Sequence, residues 1–149
     1  MIIRRAVAND IAPAATLMAQ AYATHFRPII GEAALGFDAA HFAERFAREL
    51  TELTVLDENG IRGVLLVKEG HIAMLFAAET GHGHGAALLA HAEANGARSL
   101  EVFANNEGAR RFYERAGWQV TRDYERAFAG ALHRFLRYEK PMIPARRQG

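Results

Sequence analysis

Apolar and polar positions along the chain change period several times, and each change marks an element. Residues 2 to 7 read as a short strand, after which Asn9 or Asp10 caps a helix whose apolar positions Ile11, Ala14, Ala15, Met18 and Tyr22 recur at helical spacing. The pattern breaks between Thr24 and Gly36, around Pro28 and Gly31, and a second helix follows from about Asp38 to Leu50 with Phe42, Phe46 and Leu50 on one side. An irregular connection between two amphipathic helices is a natural place for a loop that shapes a substrate site.

The period then shortens. Thr54 to Asp57, Ile61 to Lys68 and His71 to Ala78 are strand-like runs separated by Asn59-Gly60 and Glu69-Gly70, dipeptides that favour tight hairpins, so an antiparallel meander is predicted. After a glycine-rich turn come a helix from Gly85 to about Asn95, a strand from Ser99 to Phe103 and a helix from about Asn106 to Ala116. That last helix carries Ala109, Phe112, Tyr113 and Ala116 at i, i+3, i+4 and i+7, and Gly117 ends it. Trp118 to Arg122 and Leu132 to Glu139 supply two closing strands, joined around Phe128-Ala129-Gly130.

A chain of 149 residues suits one domain, expected over 1–141 with a short tail over 142–149, and a core that buries about 70% of the unfolded chain's surface. Arg146 and Arg147 stand in that tail, near Pro141 and Pro144, and read as part of a solvated terminus. No apolar run approaches the roughly 18 residues of a membrane span, and the first residues lack a signal-peptide pattern. The absence of cysteine removes disulfides, thiolate metal sites and a cysteine nucleophile, and fits a reducing, cytoplasmic setting. With 18 basic against 17 acidic residues the net charge of +1 argues against nucleic acid or a membrane as partner.

The chemistry concentrates between Glu79 and Trp118. In Thr80-Gly81-His82-Gly83-His84-Gly85, glycines at alternate positions strip side chains from a segment that opens a helix. Several backbone N–H groups are thereby left free for an anion where the helix dipole favours negative charge. About twenty residues on, Asn106 begins an aromatic helix face that ends in a tyrosine. Together the two segments suggest a cofactor with a nucleotide tail and chemistry at its far end. His82, His84 and His91 without carboxylate or cysteine company read as turn and helix residues rather than metal ligands. Gly81-x-Gly83-x-x-Ala86, with Glu101 20 residues after Gly81, also satisfies a dinucleotide fingerprint. The hairpin meander before it and the short chain after it do not suit a doubly wound sheet.

Taken in order, the chain resembles the GNAT superfamily of N-acetyltransferases over nearly its whole length. The specific likeness lies in Gly81-His82-Gly83-His84-Gly85-Ala86-Ala87-Leu88-Leu89 and in Asn106-x-x-Ala109-x-x-Phe112-Tyr113-Glu114-x-x-Gly117-Trp118. The family patterns are Arg/Gln-x-x-Gly-x-Gly/Ala and Asn-x-x-Ala-x-x-Phe-Tyr-x-x-x-Gly-Phe. Thr80 stands where the family usually has Arg or Gln, Trp118 where it has Phe, and the turn after Ala78 is shorter by about two residues.

The resemblance implies an α/β (α+β) fold: a mixed, mostly antiparallel sheet of six to seven strands, flanked by about four helices, with one splayed strand pair forming an acetyl-CoA cleft. It implies that Gly81, His82, Gly83, His84, Gly85 and Ala86 hold the pyrophosphate of acetyl-CoA, His82 and His84 adding donors in place of the missing Arg. Leu75, Phe76, Ala77, Asn106, Ala109, Phe112 and Tyr113 flank the pantetheine arm, and an N–H near Phe76 or Ala77 polarises the thioester carbonyl. Tyr113 protonates the departing thiolate. The implied acceptor is a primary amine of a small molecule, amino acid or peptide, and the implied state is monomer or homodimer. The strand positions facing the acceptor are Ala73 and Met74, so the base falls to His71, Glu101, His25 or Glu32. Residues 24 to 50, with Arg27, Glu32, Asp38 and His41, shape the acceptor pocket. Thr80, Ala73 and Met74 also suit an acyl-CoA-binding module without turnover.

Overall fold

Three tight turns, each with two consecutive residues in the left-handed region, fold most of the chain into antiparallel pairs. They lie at Asn59-Gly60, Glu69-Gly70 and Ala129-Gly130. The computed structural model describes residues 1–141; the expected tail over 142–149 lies outside them. The strands are β1 (Ile2–Arg5), β2 (Leu53–Asp57), β3 (Ile61–Lys68), β4 (His71–Ala77), β5 (Ser99–Phe103), β6 (Gln119–Phe128) and β7 (Ala131–Glu139). The helices are α1 (Ile11–Ala21), the single turn α2 (Arg27–Ile30), α3 (Ala39–Arg48), α4 (His84–Ala94) and α5 (Glu107–Arg115).

The strands form one seven-stranded sheet in the order β1-β2-β3-β4-β5-β7-β6. Every pairing is antiparallel except β4 with β5, which are joined through α4 as the sheet's single parallel crossover. A doubly wound dinucleotide fold, which needs a succession of such crossovers, is thereby excluded.

Alternation along the strands splits the core between the two faces. On one face α4 and α5 cover Leu56, Leu65, Ile72, Leu100, Leu136 and Tyr138, with Leu88 and Trp118 fully buried. On the other, α1 and α3 bring Met18, Phe42 and Phe46 onto Val55, Val64, Leu66 and Met74. Burying a side chain the size of Phe46 contributes about 1.5–3 kcal/mol. An irregularity in the β3–β4 register, where Leu66 pairs with Met74 but Val67 with Ile72, leaves Ala73 as the extra residue and turns Ile72 and Met74 to opposite faces.

Four boundaries differ from the sequence pattern, each for a local reason. The first strand ends at Arg5 because the Asp10 carboxylate accepts from the Val7 N–H at 2.8 Å and from Arg4 at 2.7 Å, drawing Ala8–Asp10 into a 3-10 turn. The second helix stops at Arg48, and its cap is Asp38, which accepts from the His41 N–H at 2.9 Å. In the first hairpin Asp57 pairs with Ile61, so three residues, Glu58 to Gly60, form the loop and Glu58 stands free of the ladder. β6 runs to Phe128, six residues past the expected end, because an exposed edge strand keeps its charges. Arg126 and Tyr124 of β6 bond Glu101, and Arg134 reaches back to Asp123 at 2.6 Å.

Candidate active site

The parallel pair β4–β5 is joined at only two register positions, His71 with Ser99 and Ile72 with Leu100, after which the strands part. Hydrogen bonds to the outer neighbours show which groups face the gap. The Ala78 N–H donates to the Arg62 carbonyl at 2.8 Å, so by alternation Phe76 and Met74 aim their backbone groups at β3, while Leu75 and Ala77 aim theirs away from it. On the far side the Ala104 N–H donates to the Arg134 carbonyl at 2.9 Å, which leaves Glu101 and Phe103 with backbone groups toward β4. The expectation for a Phe76 N–H is corrected: that group lies in the β3 ladder, and the open donors are those of Leu75 and Ala77.

At the open end of the gap the chain enters the glycine turn. Gly81 and Gly83 have φ of 79° and 75°, and a Cβ at either would meet nothing within 4 Å, so these positions require glycine for backbone angle rather than space. Gly83 caps α4, and the first amide bonded within the helix is that of Ala87, donating to the Gly83 carbonyl at 3.0 Å. The N–H groups of Gly81, His82, Gly83, His84, Gly85 and Ala86 have no acceptor among the described residues. Six free amides at the positive end of an eleven-residue helix form an anion cradle.

The side chains of this turn differ from the sequence expectation. His84 is buried, with 4% of its surface exposed, and its Nε2–H donates to the Glu58 carboxylate at 2.6 Å. That imidazole is therefore not a freely extended donor. His82 stays exposed, 3.3 Å from the Glu79 carboxylate, and its ring stacks on His84 with centroids 5.5 Å apart.

Helix α5 closes the cradle from the side. The Asn106 Oδ1 accepts from the Ala109 N–H at 3.2 Å, so its carbonyl serves as the helix cap. Phe112 lies beside Gly85, 3.4 Å from where a Cβ would stand, and Ala109 packs against the same core. The helix ends where Gly117 takes a φ of 91° and the Trp118 N–H returns to the Tyr113 carbonyl at 3.0 Å. Tyr113 is 7% exposed between Phe112, Trp118 and Tyr138, its hydroxyl without a hydrogen-bond partner among the described residues. Burial raises its ionisation well above the usual phenol range.

On the opposite face, the chain after α1 widens into a π turn over Tyr22–Phe26, a form often found at functional sites. It places His25 against Phe76 of β4, centroids 5.5 Å apart, and Phe26 against Phe103 of β5 at 5.8 Å. The two neighbouring side chains thus straddle the gap. Farther along the connection, Phe37 stacks on Phe128 of the β6–β7 hairpin at 5.5 Å and 3°.

The candidate bases now separate. Glu32 is exposed and paired with Arg27 at 2.7 Å. Burial favours the neutral form of Glu101, but Arg126 and Tyr124 outweigh it and hold the carboxylate ionised, its oxygens engaged. His71 shares a hydrogen bond with Ser99 at 2.8 Å at the joined end of the strands, and burial, then Arg137, depresses its basicity. His25 alone among the four sits over the parted strands.

A family model for the acetyltransferase (GNAT) domain matches residues 31–140. The chain belongs to the GNAT acetyltransferase family. No curated protein matches its sequence. Among solved structures, the apo form of YjaB from Escherichia coli is 22% identical, with 93% of this chain and 97% of that one covered at a TM-score of 0.74. A ribosomal-protein-alanine N-acetyltransferase from Brucella melitensis is 18% identical over 95% of this chain and 100% of that one, TM-score 0.67. YncA, a putative acetyltransferase from Salmonella typhimurium solved with acetyl-CoA, is 16% identical over 100% and 98%, TM-score 0.65. At these identities the likeness is one of fold.

In this GNAT domain the backbone of Leu75 and Ala77 edges the gap between β4 and β5, the free amides of 81–86 open α4, and Phe112 lies beside Gly85. Phe26, Phe103 and Glu58 were not singled out by the sequence. Glu58 reaches the turn from a hairpin 26 residues upstream of His84, a contact that no local spacing encodes.

Proposed function

We propose that this GNAT domain is an acetyl-CoA-dependent N-acetyltransferase that moves an acetyl group to a primary amine of a small molecule, amino acid or peptide by direct attack on the thioester. The observation that carries the reading is the pairing of an anion cradle with parted strands: six unpaired amides at the start of α4, next to a strand edge that offers Leu75 and Ala77 N–H groups.

Acetyl-CoA supplies an activated acetyl group on a leaving thiolate. The amides of residues 81–86 hold its diphosphate, and the open edge of β4 receives the pantetheine arm as an added strand would. An N–H at Leu75 or Ala77 donates to the thioester oxygen as charge develops there. The acceptor enters from the other face, where the His25 imidazole takes the ammonium proton to free the attacking nitrogen. The Tyr113 hydroxyl donates a hydrogen bond toward the leaving sulfur. Its burial makes the phenolate costly, so the contribution is that of a hydrogen bond more than of full proton transfer.

The test is thiol release from acetyl-CoA with a panel of amines, beside calorimetry with acetyl-CoA. Release above background with at least one amine is expected. Tight binding with background release for every amine would instead favour an acyl-CoA-binding module, the reading that Thr80 and Ala73 leave open.

A further inference from the structure

The glycine turn does not hold itself. Between Ala78 and Ala87 no backbone N–H has an acceptor among the described residues, and every residue from Ala78 to Gly83 is exposed. Glycines at 81, 83 and 85 leave such a segment many conformations, whereas a cradle binds an anion tightly only if its amides are already fixed in one. Order in the turn therefore comes from what its two ends are tied to.

The upstream tie is the sheet itself, where the Ala78 N–H donates to the Arg62 carbonyl at 2.8 Å. The downstream tie is His84, the first buried residue after the turn, whose Nε2–H lies 2.6 Å from the Glu58 carboxylate. His84 opens α4, and Leu88 stands one turn further along the same face. There the helix rests directly on β3: a Cβ added at Gly63 would come within 2.7 Å of Leu88 Cδ1. Two anchors one turn apart on a single face fix both the rotation of α4 and the height of its first residue. The His84 anchor belongs to a residue whose own amide is one of the free donors.

Glu58 is presented from a firm tip. Its N–H donates to the Gly60 carbonyl at 2.9 Å, and its carbonyl accepts from Arg62 Nε at 3.1 Å. The Gly60 N–H donates to Asp57 at 3.1 Å, and Asp57 accepts in turn from Arg4 at 3.0 Å. The hydrogen bond from His84 keeps the Glu58 carboxyl below the usual carboxylate range, so at neutral pH it is an ionised hydrogen-bond acceptor.

We infer that Glu58 is a positioning residue for the acetyl donor: acting through His84, it sets the start of α4 and with it the amides that receive the diphosphate. The inference rests on the acetyl-CoA reading above. Glu58 has two effects of opposite sign. As a negative charge on the hairpin beside α4 it weakens the binding of an anion, the more so at low salt. As a hydrogen-bond acceptor it strengthens that binding, because the turn is ordered before the ligand arrives.

Three substitutions separate the two effects, read by calorimetry with acetyl-CoA and, with an amine that turns over, by steady-state kinetics. Glu58→Gln keeps a hydrogen-bond acceptor at the same reach and removes the charge, and its affinity is expected within about threefold of wild type. Glu58→Asp keeps the charge and draws it back by one methylene, and Glu58→Ala removes both. Each should raise the Kd and KM for acetyl-CoA about tenfold and leave kcat and the KM of the amine unchanged. The Asp variant, with its carboxylate still on the loop, guards against a folding defect in the Ala variant. A contact that served stability alone would lower the melting temperature and the active fraction without moving the KM for acetyl-CoA. That result overturns the inference, as does wild-type affinity in both the Asp and Ala variants, or a Gln variant that loses as much as Ala; each leaves acetyl-CoA as donor intact. Failure of the folded wild type to bind acetyl-CoA overturns both.

Discussion

The glycine turn and the π turn lie on opposite sides of the parted strands and are built by opposite means. The turn at Gly81–Ala86 offers backbone: its donors are amides, aimed by left-handed glycines and the start of α4. The π turn offers side chains, His25 and Phe26, set across the gap by contacts with Phe76 and Phe103. Main-chain donors serve any diphosphate equally, whereas a side-chain wall changes with every substitution. One side of this cleft is therefore suited to a constant donor and the other to a particular acceptor.

Substitutions on the two sides should separate binding from turnover. Gly83→Val forces a β-branched residue into a φ of 75° and displaces several amides at once. Calorimetry should show acetyl-CoA affinity falling by on the order of several hundredfold, from about 1–3 kcal/mol of strain plus lost charge-assisted hydrogen bonds. Retained affinity would place the cradle elsewhere. His25→Gln is expected to lower kcat/KM by about a hundredfold, with acetyl-CoA affinity unchanged. An equal loss of both parameters would show that the division between the two sides is false.

Smaller effects probe the flank. Tyr113→Phe should reduce kcat by about threefold to tenfold, the worth of one hydrogen bond, without altering cofactor affinity. An unchanged rate would return Tyr113 to a purely packing role. Asn106→Ala removes the cap of α5 and should cost about 1 kcal/mol of stability, seen as a melting temperature a few degrees lower. A larger drop in acetyl-CoA affinity than in stability would give Asn106 a direct place at the cofactor.

The same division explains what the sequence discloses. The meander, the glycine turn and the asparagine helix are written locally, in turn dipeptides, alternate glycines and a helical stripe, and the structure places them as those patterns predict. β6 is hidden because an exposed edge strand satisfies its charges across β5 and β7, so Arg126 and Asp123 interrupt the apolar alternation that would mark it. The acceptor side is hidden for a deeper reason. Phe26, Phe37, Phe103 and Phe128 meet from four separate stretches of chain, and the pattern in which each is embedded speaks only of its own. Nor does spacing reveal that His84 turns inward, since its partner Glu58 is freed by the extra residue of a distant hairpin.

The short junction of β4 with β5 has a mechanical consequence. Beyond Ile72 and Leu100 these neighbouring strands have no ladder between them, so the sheet is two ribbons hinged near one end. A molecule lodged in that slot acts as a brace, tying β4 toward the ribbon of β5, β7 and β6 by mass action on the folded state. Amide exchange at Leu75, Ala77, Glu101 and Phe103, fast in the empty protein, should slow together once the brace is in place.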